Sequence, residues 1–324
     1  MTGRSHTVHA AHHHFGWDNA IEPVMEVEPG STVEFEIIDA SGGQLNRNST
    51  AADVGAIDFA RVNPVTGPIF IKGAQPGDVL EVEILDFGRA EWGWTAIIPG
   101  FGLLADEFPE PVLKIWDLSE GRAEFAPGIE IPIKPFPGTI GVALPEPGLH
   151  TIVPPRQNGG NMDIRHLTRG ARLFLPVWVE GALFSIGDVH FAQGDGEVCG
   201  TAIEMRSVVH LEFRVHKGEA RRRGIRTVQF LRDGYFTAPE MAAPRRFYAT
   251  TGICVRNGRN ESEDLTLAAR DALFRMIEYL QRRGFTAQQA YALCSVAVDL
   301  RVSETVDVPN VMVTAILPLD IFVG

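Results

Sequence analysis

The stretch EPGSTVEFEI, residues 28–37, alternates apolar and acidic residues after a Pro-Gly pair. The same pattern recurs in QPGDVLEVEI, residues 75–84. Pro-Gly favours a turn, and strict alternation is the period of a β-strand that buries one face and exposes the other. The two copies therefore predict two half-buried strands, and not a solenoid, which would need several repeats to bury a continuous core.

Further strands are predicted at RLFLPVWV, residues 172–179, and VVHLEFRV, residues 208–215, because β-branched and large apolar residues fill both stretches. The chain holds 33 glycines and 21 prolines, which favours many turns between short strands. Residues 92–148 are especially rich in both, so we expect irregular strands and long loops there and no helices.

The texture changes after about residue 216. SEDLTLAARDALFRMIEYLQRRG, residues 262–284, predicts an amphipathic helix that Gly284 ends, with an apolar face of Leu265, Ala269, Ala272, Leu273, Met276, Ile277 and Leu280. TAQQ, residues 286–289, is a capping box that opens a second helix. Residues 306–322 return to strand character.

These patterns predict a mainly β fold of sandwich-like or barrel-like sheets. We expect a β-rich domain at residues 1–216 that carries the functional site, and a smaller α+β C-terminal domain at residues 217–324 packed on it. At 324 residues the chain is long enough for two such modules.

Charge and cysteine usage exclude several classes of protein. The net charge of −12 argues against nucleic acid or an anionic membrane as partner, because both attract basic surfaces. Three cysteines cannot pair completely, and a sparse odd set fits a reducing compartment, so we expect a cytoplasmic protein. No apolar run approaches the length of a membrane span or a signal peptide core.

The stretch GDVHFAQGDGEVCGTAIE, residues 187–204, concentrates charge beside apolar sequence. It contains Asp188, His190, Asp195, Glu197 and Glu204. Buried carboxylates are costly unless something compensates them, and a divalent cation is one such group. The alternative is that Gly-Asp-Gly forms a tight turn and that water solvates these acids.

A second polar stretch, NGGNMDIRHL at residues 158–167, precedes the first by about two dozen residues. Its glycines tolerate close backbone approach, and Asp163 follows them. We expect the two stretches to flank one buried hairpin, so that Asp163, His190 and a carboxylate from residues 188–197 form a mixed nitrogen and oxygen set. Such a set suits a divalent metal with an open position for water, although its spacing alone is weak evidence.

GGNMD at residues 159–163, taken with residues 187–204, resembles the acetamidase/formamidase family of metal-associated amidases. The resemblance extends over nearly the whole chain, through NPVTGPIFIKGAQPGDVLEVEI (63–84), PGFGLLADEF (99–108), PFPGTIGVA (135–143), LPVWVEGALFSIGD (175–188) and AYALCSVAVDLRVSETVD (290–307). SVAVDL, residues 295–300, departs from the expected pattern, in which a glycine comes before the aspartate.

The resemblance implies a hydrolase that cleaves a short linear carboxamide, such as formamide or acetamide, to a carboxylate and ammonia. It also implies a homodimer or higher homo-oligomer and a divalent metal. The donor set makes zinc the first choice, with calcium or magnesium as alternatives. The residues that the resemblance assigns are Asp163, His190 and Asp39 as metal ligands, Glu197 and Glu204 as catalytic carboxylates, and His12 as a substrate-binding position. The chemistry adds Gly194 and Gly196 as substrate-binding positions, whose backbone amides would receive the developing oxyanion. Metal-activated water would attack the amide, and a glutamate would carry its proton to the leaving nitrogen.

The sequence is also compatible with two other functional hypotheses. Cys199 is a candidate nucleophile for a covalent acyl-enzyme, although a cysteine between apolar residues is more often a small buried side chain. The chain also fits a β-sandwich binding protein in which a divalent ion orders loops and a small ligand contacts Trp92 and Trp94. Release of ammonia from simple amides separates the enzyme from the binding protein.

Overall fold

The computed structural model describes residues 5–233, 246–256, 259–260, 264–306 and 311–323. In chain order its strands are β1 (Ser5–Val8), β2 (His13–His14), β3 (Gly16–Trp17), β4 (Met25–Val27), β5 (Thr32–Ile37), β6 (Val65–Ile71), β7 (Val79–Phe87), β8 (Trp92–Ile97), β9 (Val112–Asp117), β10 (Ala123–Ala126), β11 (Ile129–Ile131), β12 (Phe136–Gly141), β13 (His150–Thr151), β14 (Gly159–Asn161), β15 (Arg172–Pro176), β16 (Phe184–His190), β17 (Glu204–Met205), β18 (Ser207–His216), β19 (Gln229–Leu231), β20 (Phe247–Ile253), β21 (Val255–Arg256), β22 (Arg259–Asn260), β23 (Asp299–Glu304) and β24 (Met312–Pro318). The helices are α1 (Ala51–Gly55), α2 (Glu219–Arg223), α3 (Leu265–Arg282) and α4 (Ala287–Ala297), with 3-10 turns at Phe59–Arg61 and Leu319–Ile321.

The two alternating stretches form strands of one six-stranded sheet, whose order is β1-β5-β18-β7-β15-β19. Both β5 and β7 pair antiparallel with β18, and the apolar residues of β5 are buried as predicted. Glu81 of β7 is buried against expectation, because Arg214 and His216 of β18 lie 3.0 Å and 2.6 Å from its carboxylate. The mainly β fold is thus confirmed.

A second, nine-stranded sheet carries the polar stretches. Its main path is β14-β12-β16-β17-β8-β9, and β6 pairs with β16 as well as with β2 and β4. The predicted buried hairpin is wrong, because β15 belongs to the six-stranded sheet whereas β16 belongs to this one. The apolar run between the two polar stretches therefore crosses from one sheet to the other.

Aromatic side chains join the two sheets through a shared core. Phe184 of β16 contacts Phe35 of β5 and Phe213 of β18 edge to face, with ring centroids 5.7 Å and 5.0 Å apart. All three rings are fully buried. Such pairs add about 0.5–1.5 kcal/mol to the burial of their area, and they fix the nine-stranded sheet over the six-stranded one.

The C-terminal part consists of a three-stranded sheet, β20-β24-β23, with α3 packed on it. Thr286 and Gln289 form the predicted capping box of α4. The apolar face of α3 is confirmed from Ala272 onward, but its first turn buries Leu267 and Ala268 and leaves Leu265 exposed. None of the helices described is long and apolar enough to span a membrane.

The proposed boundary at residue 216 stays a prediction. β19 lies beyond that boundary and pairs with β15, so the chain after residue 216 contributes an edge strand to the six-stranded sheet. One continuous apolar core also includes buried side chains from β16, α3 and α4.

Candidate active site

β12 brings the two polar stretches together. It pairs on one side with β14, where Thr139 lies opposite Asn161, and on the other side with β16, where Phe136 lies opposite His190. β17 then pairs with β16 and places Glu204 opposite His190. Residues 158–163 and 187–204 thus meet through a strand that lies before both of them in the sequence.

His190 is the centre of a buried charged cluster. Its Nε2 lies 3.1 Å from Asp188 Oδ1 and 3.1 Å from Glu204 Oε2. Its Nδ1 lies 2.9 Å from the amide oxygen of Gln193, whose amide nitrogen donates to the backbone oxygen of Asp163. The imidazole is fully buried, so these partners fix its orientation.

Two overlapping groups of possible metal ligands share this histidine. Asp163, His190 and Glu197 form one group, and Asp188, His190 and Glu204 form the other. Within each group the ligand atoms lie within 4.8 Å of one another. Four carboxylates therefore surround one buried imidazole, of which Asp188 and Glu204 are buried and Asp163 and Glu197 are half-buried.

The electrostatics of these carboxylates reflect their burial. Burial, reinforced by Asp188, raises the pKa of Asp163 to about 6 and that of Glu204 to about 7. Burial and the neighbouring Asp163 raise the pKa of Glu197 well above its ordinary value. Groups that hold or release a proton near neutrality suit acid and base chemistry.

His190 and Asp188 shift the other way, each toward its charged form. Burial alone would lower the pKa of His190, but the carboxylates of Glu204 and Asp188 outweigh it and hold the pKa well above its ordinary value. Burial alone would raise the pKa of Asp188, but His190 outweighs burial and lowers it. Asn63 Nδ2 and Thr139 Oγ1 also donate to Asp188 Oδ2, both at 3.3 Å.

The backbone is strained at the same residues. Asp163, Asp188 and Glu197 adopt positive φ angles of 52°, 55° and 43°, and Asn63, which binds Asp188, adopts 48°. Residues other than glycine rarely take this left-handed backbone conformation, and such strain concentrates at functional sites. The fold stabilises these conformations where three of the four carboxylates converge.

The residues present fit a divalent cation. Asp163 Oδ1 is buried without a hydrogen-bond partner in the described part of the chain, and Glu204 Oε2 has only its 3.1 Å contact with His190 Nε2. Gly138 of β12 leaves open the space beside Asp163 and Asp188: a Cβ there would lie 2.5 Å from Asp163 Oδ1 and 2.6 Å from Asp188 Oδ2. Carboxylate oxygens with one imidazole form a donor set that suits zinc and harder divalent ions.

A cavity of about 390 Å³ opens beside this cluster. Asp163, Asp188, Glu197 and Glu204 line it, and so does Gly196 from the predicted set. The cavity lies within the size range of binding pockets for small molecules. It gives a ligand direct access to the four carboxylates.

Three of the predicted site residues lie elsewhere. Asp39 belongs to neither ligand group among the described residues; its buried carboxylate instead accepts from Trp94 Nε1 at 3.1 Å and Arg206 Nε at 3.2 Å. His12 is exposed to solvent. Gly194 packs against the backbone of Val298, where a Cβ would lie 2.1 Å from the carbonyl oxygen.

The C-terminal part contacts the two loops that carry site residues. Arg165, two residues after Asp163, forms an ion pair with the carboxylate of Asp299, the first residue of β23. The same carboxylate accepts from the backbone nitrogen of Asp195 at 3.1 Å. Asp299 therefore links the loop of Asp163 to the loop of Glu197.

The sequence patterns do not predict the supporting contacts of Asn63, Thr139, Gln193 and Asp299 with the cluster. Gln193 lies inside the charged stretch, three residues after His190, and this proximity was the available signal. Thr139 and Asn63 belong to segments far from it in sequence, and no local pattern marks them. Asp188, which was named only as part of a group of acids, contacts His190 directly.

Cys199 is fully buried, and its thiol donates to the backbone oxygen of Ala96 at 3.4 Å. Burial raises the pKa of this thiol. A nucleophilic cysteine requires the opposite shift, toward the thiolate. Trp94 is buried and lines the cavity, whereas Trp92 packs beside the smaller apolar cluster of Trp94.

Known proteins resemble this chain over almost its whole length. The family model described as "Acetamidase/Formamidase family" matches residues 2–150 and 143–323. A formamidase of Methylophilus methylotrophus is 30% identical, with 95% of this chain and 89% of the relative covered. A solved γ-lactamase of Delftia acidovorans is 31% identical with a TM-score of 0.90, covering 98% and 93% of the two chains. An acetamidase structure from Bacillus halodurans is 30% identical with a TM-score of 0.66, covering 98% and 99%.

Proposed function

We propose that this chain, which belongs to the acetamidase/formamidase family, converts a carboxamide to a carboxylate and ammonia with water as the nucleophile. Its relatives show that it is a hydrolase of linear amides. The observation that carries this proposal is the cavity lined by Glu197 and Glu204 beside His190. Formamide and acetamide are the first substrates to assay, because curated relatives bear the names of the corresponding amidases.

The side chains present supply the proton transfers that amide hydrolysis needs. Water adds to the amide carbon and loses a proton to a carboxylate, for which Glu197 and Glu204 are the candidates. The same carboxyl group then returns the proton to the nitrogen, the carbon–nitrogen bond breaks, and ammonia leaves. A positioned acid or base of this kind contributes about a hundred- to ten-thousand-fold in rate.

We also propose a divalent metal, zinc first, held by Asp163 and His190, with Asp188 as a further ligand in place of Asp39. Such an ion would polarise the amide carbonyl and lower the pKa of bound water toward neutrality. Asn63 and Thr139 would orient Asp188, and Gln193 would orient His190, as outer partners of metal ligands do.

One experiment tests both halves of the proposal. Untagged protein is analysed for bound metals, and ammonia release is measured from formamide, acetamide and propionamide before and after removal of metal by a chelator. We expect about one divalent ion in each chain and loss of turnover that added metal restores. Full activity in protein free of metal would contradict the proposed role of a metal. No release of ammonia from any amide would contradict the proposed amidase activity.

A covalent mechanism through Cys199 is the alternative. Its buried thiol and raised pKa favour attack by water instead. The variant Cys199→Ser distinguishes them, because serine keeps the volume and a hydrogen-bonding group. Loss of turnover with unchanged metal content and melting temperature would establish the cysteine route.

A second candidate activity is hydrolysis of a cyclic amide. The γ-lactamase structure superimposes with a TM-score of 0.90, whereas the acetamidase from Bacillus halodurans superimposes with 0.66. A five-membered lactam such as 2-pyrrolidinone tests this activity, because its product is an amino acid and no ammonia is released. Ring opening faster than acetamide hydrolysis would favour the lactam.

We propose finally that the protein works as a homodimer or higher homo-oligomer in the cytoplasm. All three cysteines are buried, and no disulfide joins any two of them, which suits a reducing compartment. Light scattering coupled to size-exclusion chromatography measures the oligomeric state directly. A monomeric mass at micromolar concentration would contradict the oligomer.

A further inference from the structure

The cavity has an apolar wall in addition to its charged one. Ile57, Phe59 and Val62 come from the segment around the first 3-10 turn, and Trp94, Ile98 and Phe101 come from β8 and the turn after it. These two segments meet at Phe59 and Phe101, whose rings pack edge to face with centroids 6.0 Å apart. The cavity therefore joins a carboxylate cluster to a continuous apolar surface.

Trp94 is the residue of this apolar surface that lies next to Glu204. It pairs with Glu204 across the antiparallel strands β8 and β17, so the two side chains lie side by side on one face of the sheet. The indole N–H donates to Asp39, which is buried and also accepts from Ser41 and Arg206. Because its polar atom is engaged there, Trp94 offers the cavity only carbon atoms.

Phe101 is seated with little room to move. Gly200 lies beneath its ring, and a Cβ at Gly200 would come within 2.4 Å of the ring carbon Cδ1. Phe59 at the other side of the pair is 47% exposed, which places an apolar ring at the edge of the cavity. Because its ring packs on Phe101, Phe59 extends the apolar surface of the cavity and is not an isolated exposed side chain.

We propose that the preferred substrate is a carboxamide whose acyl group is apolar and larger than acetyl, an aromatic or branched aliphatic amide, that packs against Trp94, Phe101 and Phe59. This inference rests on the proposed function. Acetamide has a single methyl group beside its amide, and it would leave most of a cavity of about 390 Å³ filled with water. Each additional methylene buried on this wall is expected to raise kcat/KM about fourfold.

The test compares kcat/KM for formamide, acetamide, isobutyramide and benzamide with the full-length, metal-replete protein. We expect isobutyramide and benzamide to exceed acetamide at least tenfold. Phe101→Ala should then lower kcat/KM for the two large amides about tenfold or more and leave acetamide within about twofold. Phe247→Ala, which removes an exposed ring of β20, is the matched control and should change none of them.

The outcomes separate this inference from the proposed function. Formamide and acetamide as the best substrates, or an equal loss for all amides in folded Phe101→Ala, would overturn the inference alone. No turnover of any amide would overturn the proposed function and the inference with it. If Phe101→Ala lowers the melting temperature, Phe101→Leu repeats the comparison with less loss of volume.

Discussion

His190 and Glu204 lie opposite each other in β16 and β17, and their Nε2 and Oε2 atoms are 3.1 Å apart. Asp188, two residues before His190 on the same strand, approaches the same nitrogen from its own side. Asp188 adopts a positive φ of 55°, which is outside the conformation of a regular strand. Asp188, His190 and Glu204 therefore form a buried polar site on the neighbouring strands β16 and β17.

Removal of a proposed ligand should abolish metal binding and turnover together. We expect Asp163→Ala and His190→Ala each to lose bound metal and activity, because the remaining groups form an incomplete ligand set. Metal analysis and ammonia release measure the two effects on the same sample. His210→Ala, which alters a half-buried histidine of β18 paired with Glu34, is the control and should retain both. Folded His190→Ala with full metal and normal turnover would contradict the assignment.

Neutralising a candidate catalytic carboxylate should separate the two effects. Glu197→Gln and Glu204→Gln keep the shape of the side chain and remove its capacity to take a proton. We expect most of the metal to remain and turnover to fall about a hundred- to ten-thousand-fold for the residue that transfers the proton. Melting curves must accompany the assay, since a buried polar change also alters stability. Loss of metal in parallel with activity would instead identify that glutamate as a ligand.

Gly138 offers a test that leaves every charged group in place. The Cβ of Gly138→Ala would lie 2.5 Å from Asp163 Oδ1, 2.6 Å from Asp188 Oδ2 and 2.9 Å from His190 Cε1. We expect metal content and turnover to fall at least tenfold, with a loss of stability of about 1–3 kcal/mol from overpacking. Gly55→Ala is the control, because no atom lies within 4 Å of its Cβ position. Equal activity of the two variants would show that the cluster does not converge at Gly138.

The ion pair between Arg165 and Asp299 should act on turnover through the loops that it joins. We expect Asp299→Asn to lower kcat about ten- to a hundredfold, as changes in the outer partners of a site typically do. Asp106→Asn, which removes the negative charge from an exposed pair with Arg270, should have no effect on kcat.

A double-mutant cycle shows whether the pair acts as a unit. Arg165→Met combined with Asp299→Asn should cost little more than either change alone, because the first change already breaks the link. Additive losses in kcat would mean that the two residues act separately.

Asp78 should make stability depend on pH. Burial alone would raise the pKa of this carboxyl, but Lys217 Nζ at 2.5 Å and the backbone nitrogens of Gly218 and Gln75 outweigh burial and lower it. A folded pKa below the unfolded value of about 3.9 means that the stabilisation is present above that pH and is lost as pH falls through the folded pKa.

The corresponding variant has a defined expectation. Asp78→Asn should lower the free energy of unfolding by about 1–3 kcal/mol at pH 7, and the difference from the parent protein should shrink below about pH 4. Asp86→Asn on β7, the strand that Asp78 immediately precedes, should change little at either pH, because that carboxylate is 62% exposed. A constant difference across the pH range, measured by urea unfolding, would contradict the role of the charge.

The sequence by itself determined the local structure and the chemical inventory. The alternation in β5 and the capping box of α4 can be predicted because each depends only on residues that are close together in the sequence. The sequence also marks Asp163, His190, Glu197 and Glu204 as candidates, through the density of charge in residues 187–204 and through the resemblance to a known family, and their roles stay predictions. The first turn of α3 differs from the prediction, since Leu265 has the right spacing but is exposed, and Leu267 and Ala268 are buried instead.

The tertiary structure alone decided which of these residues meet. β12 lies between β14 and β16, and this pairing joins residues nearly thirty positions apart around Gly138, which no local periodicity predicts. Asp39 had the right chemistry for a ligand, but the fold gives its carboxylate to Trp94 and Arg206. Periodicity reports which face of a strand is buried, whereas strand order depends on non-local packing, and strand order brings side chains to a common site.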